Sequence, residues 1–288
     1  MVSLEQHLIR ARFQLYSFIT CEVSSSSAVI LISGFYEIRS KKFSYKDVKR
    51  ATDGFHRIVY SNSHGAAYKA RFEGGEVALF STGNKRLLVF DDIENGSLKE
   101  HFNDPLKTPL NWKTRLQIAV GVAAALEYLL LFSNPPVYHV SINSSNIMLY
   151  ENFTAMLTDV GLLSSIGTYV QMPHSSCSEE CMGQKCGNII FQLGVLILEL
   201  ITGQSSELIT GQSSEQGGTD LIQWVQGSRL SSSIDMMIDP DLGNNYDSKE
   251  LKKLLVVPRL CLKSKNNPEF PVPQVFRFLQ KKVQIPRD

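Results

Sequence analysis

The sequence predicts an α+β chain in two lobes, a shorter one rich in strands and a longer one mainly helical. Three observations predict it. Val77-Ala78-Leu79-Phe80 and Leu87-Leu88-Val89-Phe90 are short apolar runs joined through Gly83-Asn84, a favourable hairpin turn. From Asn111, an N-cap residue, Trp112, Leu116, Ala119, Val122, Ala123, Leu126, Leu129 and Leu130 recur at helical spacing. Phe191 to Ile201 is apolar nearly all round, as a buried central helix is. With 288 residues and 43% hydrophobic content, the chain is long enough to bury a core of this kind.

Composition narrows the function classes. A net charge of +1 leaves no basic stripe to neutralise phosphates, so nucleic acid is not the expected partner. Five cysteines, odd in number and scattered, suit reduced intracellular thiols. Glu5, Gln6 and His7 fall where a signal peptide needs its apolar core. Ala28 to Phe35 is too short for a membrane span, and widening it back to Phe13 admits Glu22 and Ser24 to Ser27. Arg39, Lys41 and Lys42 follow as they do after a stop-transfer helix. Residues 1–42 are therefore expected to be disordered or an eroded membrane-proximal segment.

The rest of the chain is organised around His139-Val140-Ser141-Ile142-Asn143-Ser144-Ser145-Asn146 and the hairpin that follows it. Ile147-Met148-Leu149 and Ala155-Met156-Leu157 flank Glu151-Asn152, giving two short strands. Such a hairpin would bring Asn146 and Asp159 to one edge, an amide and a carboxylate as a hard cation requires. An ordinary hairpin with polar ends explains the spacing equally well.

These residues resemble the catalytic and magnesium loops of protein kinases, H-R-D-x-K-x-x-N followed by D-F-G. The chain is similar more narrowly to plant receptor-like kinases, through Phe43-Ser44-Tyr45, Ala51-Thr52, Phe55, Val89-Phe90-Asp91, Asn95-Gly96-Ser97-Leu98 and Glu199-Leu200-Ile201-Thr202-Gly203. The resemblance covers roughly residues 43 to 280. It implies a two-lobed protein-kinase-like fold, with a shortened β-rich N-lobe over 43–98 and a mainly helical C-lobe over 99–288.

Against that pattern the losses are specific. Ser44 to Asp47 reads as a capping box for a short helix carrying Val48, Ala51 and Phe55 on one face. Of the three loop glycines only Gly65 remains, a vestigial cofactor-binding position, with Tyr60 and Asn62 in the other two places. Phe80, or Ser81 by a one-residue slip, replaces the strand lysine that grips phosphates. Only Thr82 to Lys85 separate Ser81 from Arg86, so the regulatory helix with its glutamate, and one edge strand, are missing. A direct hairpin of the flanking strands is expected, with one sheet face left bare as an apolar patch.

In the large lobe, Ser141 stands at the catalytic aspartate, Val140 at the arginine and Asn143 at the lysine. Asn146 and Asp159 keep the two magnesium-ligand positions, and Val160 takes the phenylalanine place of D-F-G. The glutamate ending the activation segment is absent after Tyr169 to Pro173, and Glu269 replaces its partner arginine. Ile189 sits where an aspartate would anchor the catalytic loop from below. His174, Cys177, Cys181 and Cys186 have loose zinc-like spacing, with free thiols the preferred reading. The octapeptide Glu199 to Ser206 recurs unchanged as Glu207 to Ser214, read as a duplication lengthening a surface loop. Leu221 to Val225 opens another helix. Pro258 is expected to interrupt a helix over Lys249 to Leu262, and Gln274 to Leu279 belongs to the last helix.

The resemblance, with these losses, implies a pseudokinase: a binding or regulatory module in receptor-like kinase signalling whose partner is an active receptor-like kinase. Enzyme activity is left open, on the side of none. No cofactor is expected beyond weak Mg-ATP. The expected address is cytoplasmic, with the cytoplasmic face of the plasma membrane as the alternative. Ser164, Ser165 and Thr168 are candidate phosphate acceptors. A residual serine/threonine kinase using Asn146 and Asp159 is the second reading, and a decayed gene product the third.

Overall fold

The computed structural model describes residues 19–24, 27–34, 37–43, 45–62, 65–72, 75–82, 86–91, 94–132, 137–138, 140–157, 179–211, 221–222, 225–227, 237–267 and 272–282. The chain parts into two compact units, Met1–Gly96 with Met148–Met156, and Ser97–Ile147 with Leu157–Asp288.

The first unit holds a seven-stranded sheet of β1 (Ile19–Ser24), β2 (Ser27–Gly34), β3 (Glu37–Phe43), β4 (Ile58–Asn62), β5 (Gly65–Phe72), β6 (Gly75–Thr82) and β7 (Arg86–Asp91). Their spatial order is β3-β2-β1-β7-β6-β5-β4. The expected direct hairpin is there: β6 and β7 pair antiparallel, Val77 opposite Asp91 and Ser81 opposite Leu87. The expectation for residues 1–42 changes over its described part, because 19–24, 27–34 and 37–42 lie in three strands. β-branched residues carry them, Ile19, Thr20 and Val23 in β1 and Val29, Ile30 and Ile32 in β2. The serine run that broke the membrane pattern marks a strand reversal, with Ser24 paired to Ser27.

Helix α1 (Tyr45–Ala51) buries Val48 completely. Thr52 stops it: its hydroxyl donates to the Val48 carbonyl at 2.9 Å and accepts the Phe55 amide at 3.2 Å. Asp53, Gly54 and Phe55 then adopt φ of 51°, 72° and 66°. Phe55 therefore leaves the helical face expected for it, and its ring meets Tyr68 edge-on at 5.1 Å. Ser44, the expected cap, lies outside the described residues.

In the second unit, Ser97 caps α2 (Leu98–Asn103) by accepting the Glu100 amide. Asn111 caps α3 (Trp112–Glu127) by accepting the Thr114 amide at 2.9 Å. The helix continues as a π turn, Tyr128–Phe132, and every apolar position predicted for its face is buried. Helix α4 (Glu179–Thr202) extends the predicted buried helix by three turns and carries the centre of the core, Ile190, Leu193, Leu196 and Ile197 all fully buried. Trp112–Phe132 and Gly183–Thr202 are long and apolar enough to cross a membrane by length and composition, yet both are mostly buried inside the fold.

Two expectations change here. The duplicated octapeptide does not simply lengthen a loop. Its first copy ends α4 at Gly203 (φ 67°), and its last residue opens a helical turn, α5 (Ser206–Ile209), which the second copy completes before Gly211 (φ 70°). Thr202 and Thr210 each donate to the carbonyl four residues back at 2.8 Å, so the same sequence makes the same helix end twice. Ile209 is completely buried, so the second copy joins the core.

Nor does Pro258 interrupt its helix. Helix α6 runs from Ser248 to Cys261 with Pro258 inside it, followed by the last helix, α7 (Val272–Lys282). Packing against α4 holds α6 together: Gly194 has no side chain, and a Cβ there would sit 2.6 Å from the Cys261 Cβ and 3.5 Å from the Pro258 carbonyl oxygen. Gly194→Ala is expected to cost about 1–3 kcal/mol by overpacking. Urea denaturation should show a lower midpoint at unchanged slope, and an unchanged midpoint would mean the two helices are free to separate.

Candidate functional site

Strand register in the first unit fixes the backbone around the expected glycine-rich loop positions. Tyr60, Ser61 and Asn62 of β4 pair with Ala67, Ala66 and Gly65 of β5. Tyr60, Asn62 and Gly65 all lie within the paired strands. An anion cradle needs successive N–H groups turned toward one point, and ladder pairing turns them toward the neighbouring strand instead. Gly65 opens β5 opposite Thr82. Phe80 lies mid-strand in β6, flanked by Ala67 and Leu88, and Ser81 lies between Ala66 and Leu87. Neither position brings a cation.

The second unit carries a short polar loop. Ser144–Asn146 form a 3-10 turn, and the Asn143 carboxamide oxygen caps it by accepting the amides of Ser145 at 2.9 Å and Asn146 at 3.0 Å. The Asn146 side-chain nitrogen donates to the Ser141 hydroxyl at 3.3 Å and to its carbonyl at 3.4 Å. The Asn143 side-chain nitrogen also reaches that hydroxyl, at 3.4 Å. Asn146 is buried. Ser141, Asn143 and Asn146 therefore form a neutral knot, two amides directed at one hydroxyl.

Helix α4 supports this loop from Gln192, which the sequence reading passed over, and from Glu199, which it named only within a motif and a repeat. The Ile142 amide donates to Gln192 Oε1 at 2.7 Å, and the Ser144 hydroxyl donates to Glu199 Oε1 at 3.2 Å. Gln192 and Glu199 are seven residues apart, two turns along one helix face. Ile189, one turn before Gln192, is buried as an apolar residue, and the side chain that reaches the loop is that of Gln192. The signal was available: Gln192 and Glu199 are the two polar side chains of the otherwise apolar Phe191 to Ile201 run.

Glu199 is the strained member of the support. It is 1% exposed. Its Oε1 accepts both Ser144 and the Ser206 amide, the latter at 2.6 Å, while Oε2 is buried without a partner. Burial pushes its carboxyl up to about 7 against the lowering effect of those hydrogen bonds. Glu207, the same residue in the second copy of the octapeptide, is exposed, and hydrogen bonding, its own backbone amide foremost, holds its carboxyl below the usual range.

Downstream, the predicted hairpin forms from β8 (Ile147–Leu149) and β9 (Ala155–Leu157), with every residue of both strands buried. The Leu149 amide donates to Gly96 at 2.8 Å, and the Asn95 side chain donates to the Tyr150 carbonyl at 3.0 Å, which gives Asn95-Gly96 its role. His139, Asp159, Val160, Ser164, Ser165, Thr168, Tyr169 to Pro173, His174, Cys177 and Glu269 lie outside the described residues. Cys186 is a half-buried free thiol, and among the described residues no three His, Cys, Asp or Glu side chains converge as a metal site.

Comparison with known proteins adds to this geometry. The family model "Protein tyrosine and serine/threonine kinase" matches residues 76–217. The chain is 31% identical over 292 residues to the probable receptor-like protein kinase At1g49730 of Arabidopsis thaliana, over 83% of this chain and 43% of that one. It is 34% identical over 194 residues to the Arabidopsis serine/threonine-protein kinase PBL27, over 62% of this chain and 37% of that one. The chain thus spans less than half the length of either. Among solved structures it resembles the pseudokinase domain of BIR2, an immune regulator of the RLK/Pelle family, with TM-score 0.70 and 22% identity over 96% of this chain and 91% of that one.

Proposed function

We propose, for a chain that belongs to the receptor-like branch of the protein kinase family, that this domain transfers no phosphoryl group and serves as a binding and regulatory module. One observation carries the proposal: the proton-acceptor position is the Ser141 hydroxyl, held by the side-chain nitrogens of Asn143 and Asn146. A hydroxyl does not take a proton near neutral pH, and losing the general base costs about 10²–10⁴-fold in rate. The phosphate side has lost its cation as well, with Phe80 or Ser81 at the lysine position. Asn146 and Asp159 remain as the ligand pair for magnesium, but magnesium held by two protein groups relies on substrate phosphates to complete its shell. Gly65 alone does little for those phosphates, so weak Mg-ATP binding is the most this site offers.

The expected partner is an active receptor-like kinase, with no nucleic acid, at a cytoplasmic address that includes the inner face of the plasma membrane. A residual kinase using Asn146 and Asp159 is the competing reading, and the buried, well-held Asn146 is what favours it. A titration of the purified chain with Mg-ATP tests the site. A ligand at one hundred times its dissociation constant adds about 2.7 kcal/mol of stability, several degrees for a domain of this size. Millimolar Mg-ATP is expected to move the melting temperature by less than about 1 °C. A saturable shift of several degrees would restore nucleotide binding as a function. A melt without a cooperative transition would instead favour a decayed gene product.

A further inference from the structure

We propose that residues 19–43 are an internal edge cover for the small-lobe sheet, exchanging an adhesive edge on β7 for a charged one on β3. Without β1, strand β7 would end the sheet. Its sequence, Arg86-Leu87-Leu88-Val89-Phe90-Asp91, places four consecutive apolar residues on an open ladder with no proline or charge among them. Such an edge pairs with any available strand and is a site of self-association. The structure gives it a partner from the same chain. Ile19, Thr20, Cys21 and Glu22 of β1 lie opposite Val89, Leu88, Leu87 and Arg86.

The register agrees with the sequence at both ends. It sets apolar Ile19 against Val89 and acidic Glu22 against basic Arg86, and opposite charges directly across an antiparallel pair favour it. A slip by one residue would turn every side chain of the slipped strand to the other face of the sheet. Strands β2 and β3 then carry the edge outward, where the chain stops pairing at Glu37-Ile38-Arg39-Ser40-Lys41-Lys42-Phe43. Lysine and arginine on an outermost strand are a known guard against edge-to-edge pairing. The basic cluster that resembles a stop-transfer flank is, in this reading, that guard. Residues 19–34 paired as strands also cannot form a membrane-spanning helix.

Cys21 supplies the test, because its direct partner is Leu87. Antiparallel partners have Cα atoms about 4.5–5.5 Å apart, within reach of a disulfide. In the full-length chain carrying Leu87→Cys, oxidation with diamide is expected to give an intrachain disulfide between Cys21 and the introduced thiol, identified by peptide mass mapping. Leu88→Cys, one residue along and on the opposite face, should form at least about tenfold less of it. Equal cross-linking of both variants, no cross-link, or a cross-link only between chains would overturn the proposal. The last result would assign the β7 edge to a second copy. Hydrogen exchange on the unsubstituted chain gives a reading that does not depend on either variant folding. Slow exchange through both 19–24 and 86–91 is expected, and fast exchange throughout 19–24 would overturn it.

Discussion

Arg115→Ala is expected to lower the unfolding free energy by about 3–5 kcal/mol, the cost of leaving a buried charge without its partner. Arg115 is 2% exposed, and its guanidinium meets the Asp239 carboxylate at 2.7 Å. The same group donates to the carbonyls of Leu110 at 2.8 Å and Leu200 at 3.0 Å, and lies 5.5 Å from the centre of the Phe102 ring. Truncation would strand one carboxylate and two carbonyls together. Asp239 has no other place to go, because it is docked against Gly203, where a Cβ would lie 2.6 Å from its Oδ2. Denaturant melts should show a lower midpoint, while the double variant Arg115→Met with Asp239→Asn should recover most of the loss by removing both charges and keeping the oxygen that accepts the Asp241 amide. Equal losses in the single and double variants would mean that the pair matters through its shape and not its charge.

The second large effect is on pH. In Glu199 the folded carboxyl sits at about 7, above its usual 4.5, chiefly because it is desolvated. The folded chain therefore holds a proton that the unfolded chain has released between those values, and stability falls as pH rises through that window. The penalty is absent below about 4.5, complete above about 7, and on the order of 3 kcal/mol at full extent. Glu199→Gln removes the titration while keeping an oxygen for Ser144 and the Ser206 amide. At pH 8 it should be more stable than the parent by about 1–3 kcal/mol, and at pH 5 within about 1 kcal/mol of it. The measurement is the urea midpoint of both proteins from pH 5 to pH 8. A parent whose stability is flat or rising across that range would place the ionised carboxylate comfortably in the fold.

The direct β6–β7 hairpin and the helix capped by Asn111 were legible because each depends on local pattern. The anchor at Gln192 was not, although its residue type stood out. Reading it requires knowing which helix face passes beneath Ile142, and a chain cannot state that contact before it folds. Pro258 misled for a related reason: propensity counts the lost hydrogen bond, while the helix is held from outside through the side-chain-free surface of Gly194. The duplicated octapeptide looked like loop material because its ends are polar, yet Leu208 and Ile209 repeat the apolar pair Leu200 and Ile201, and Ile209 is fully buried. The N-terminal strands were hidden by the mixture of apolar and serine residues. That mixture fails as a membrane span, and for the same reason it works as hairpins.

The most direct test of an inert site is transfer of the labelled γ-phosphate from Mg-ATP, to the chain itself and to a generic basic substrate protein, with Asp159→Ala as the control. Incorporation at the level of that control is the expected result, with Ser141 as it stands and also after Ser141→Asp, since Phe80 still leaves the phosphates without a cation. Incorporation by the unsubstituted chain that disappears in Asp159→Ala would contradict the account, because it would mean that the neutral knot of Ser141, Asn143 and Asn146 still admits a working base.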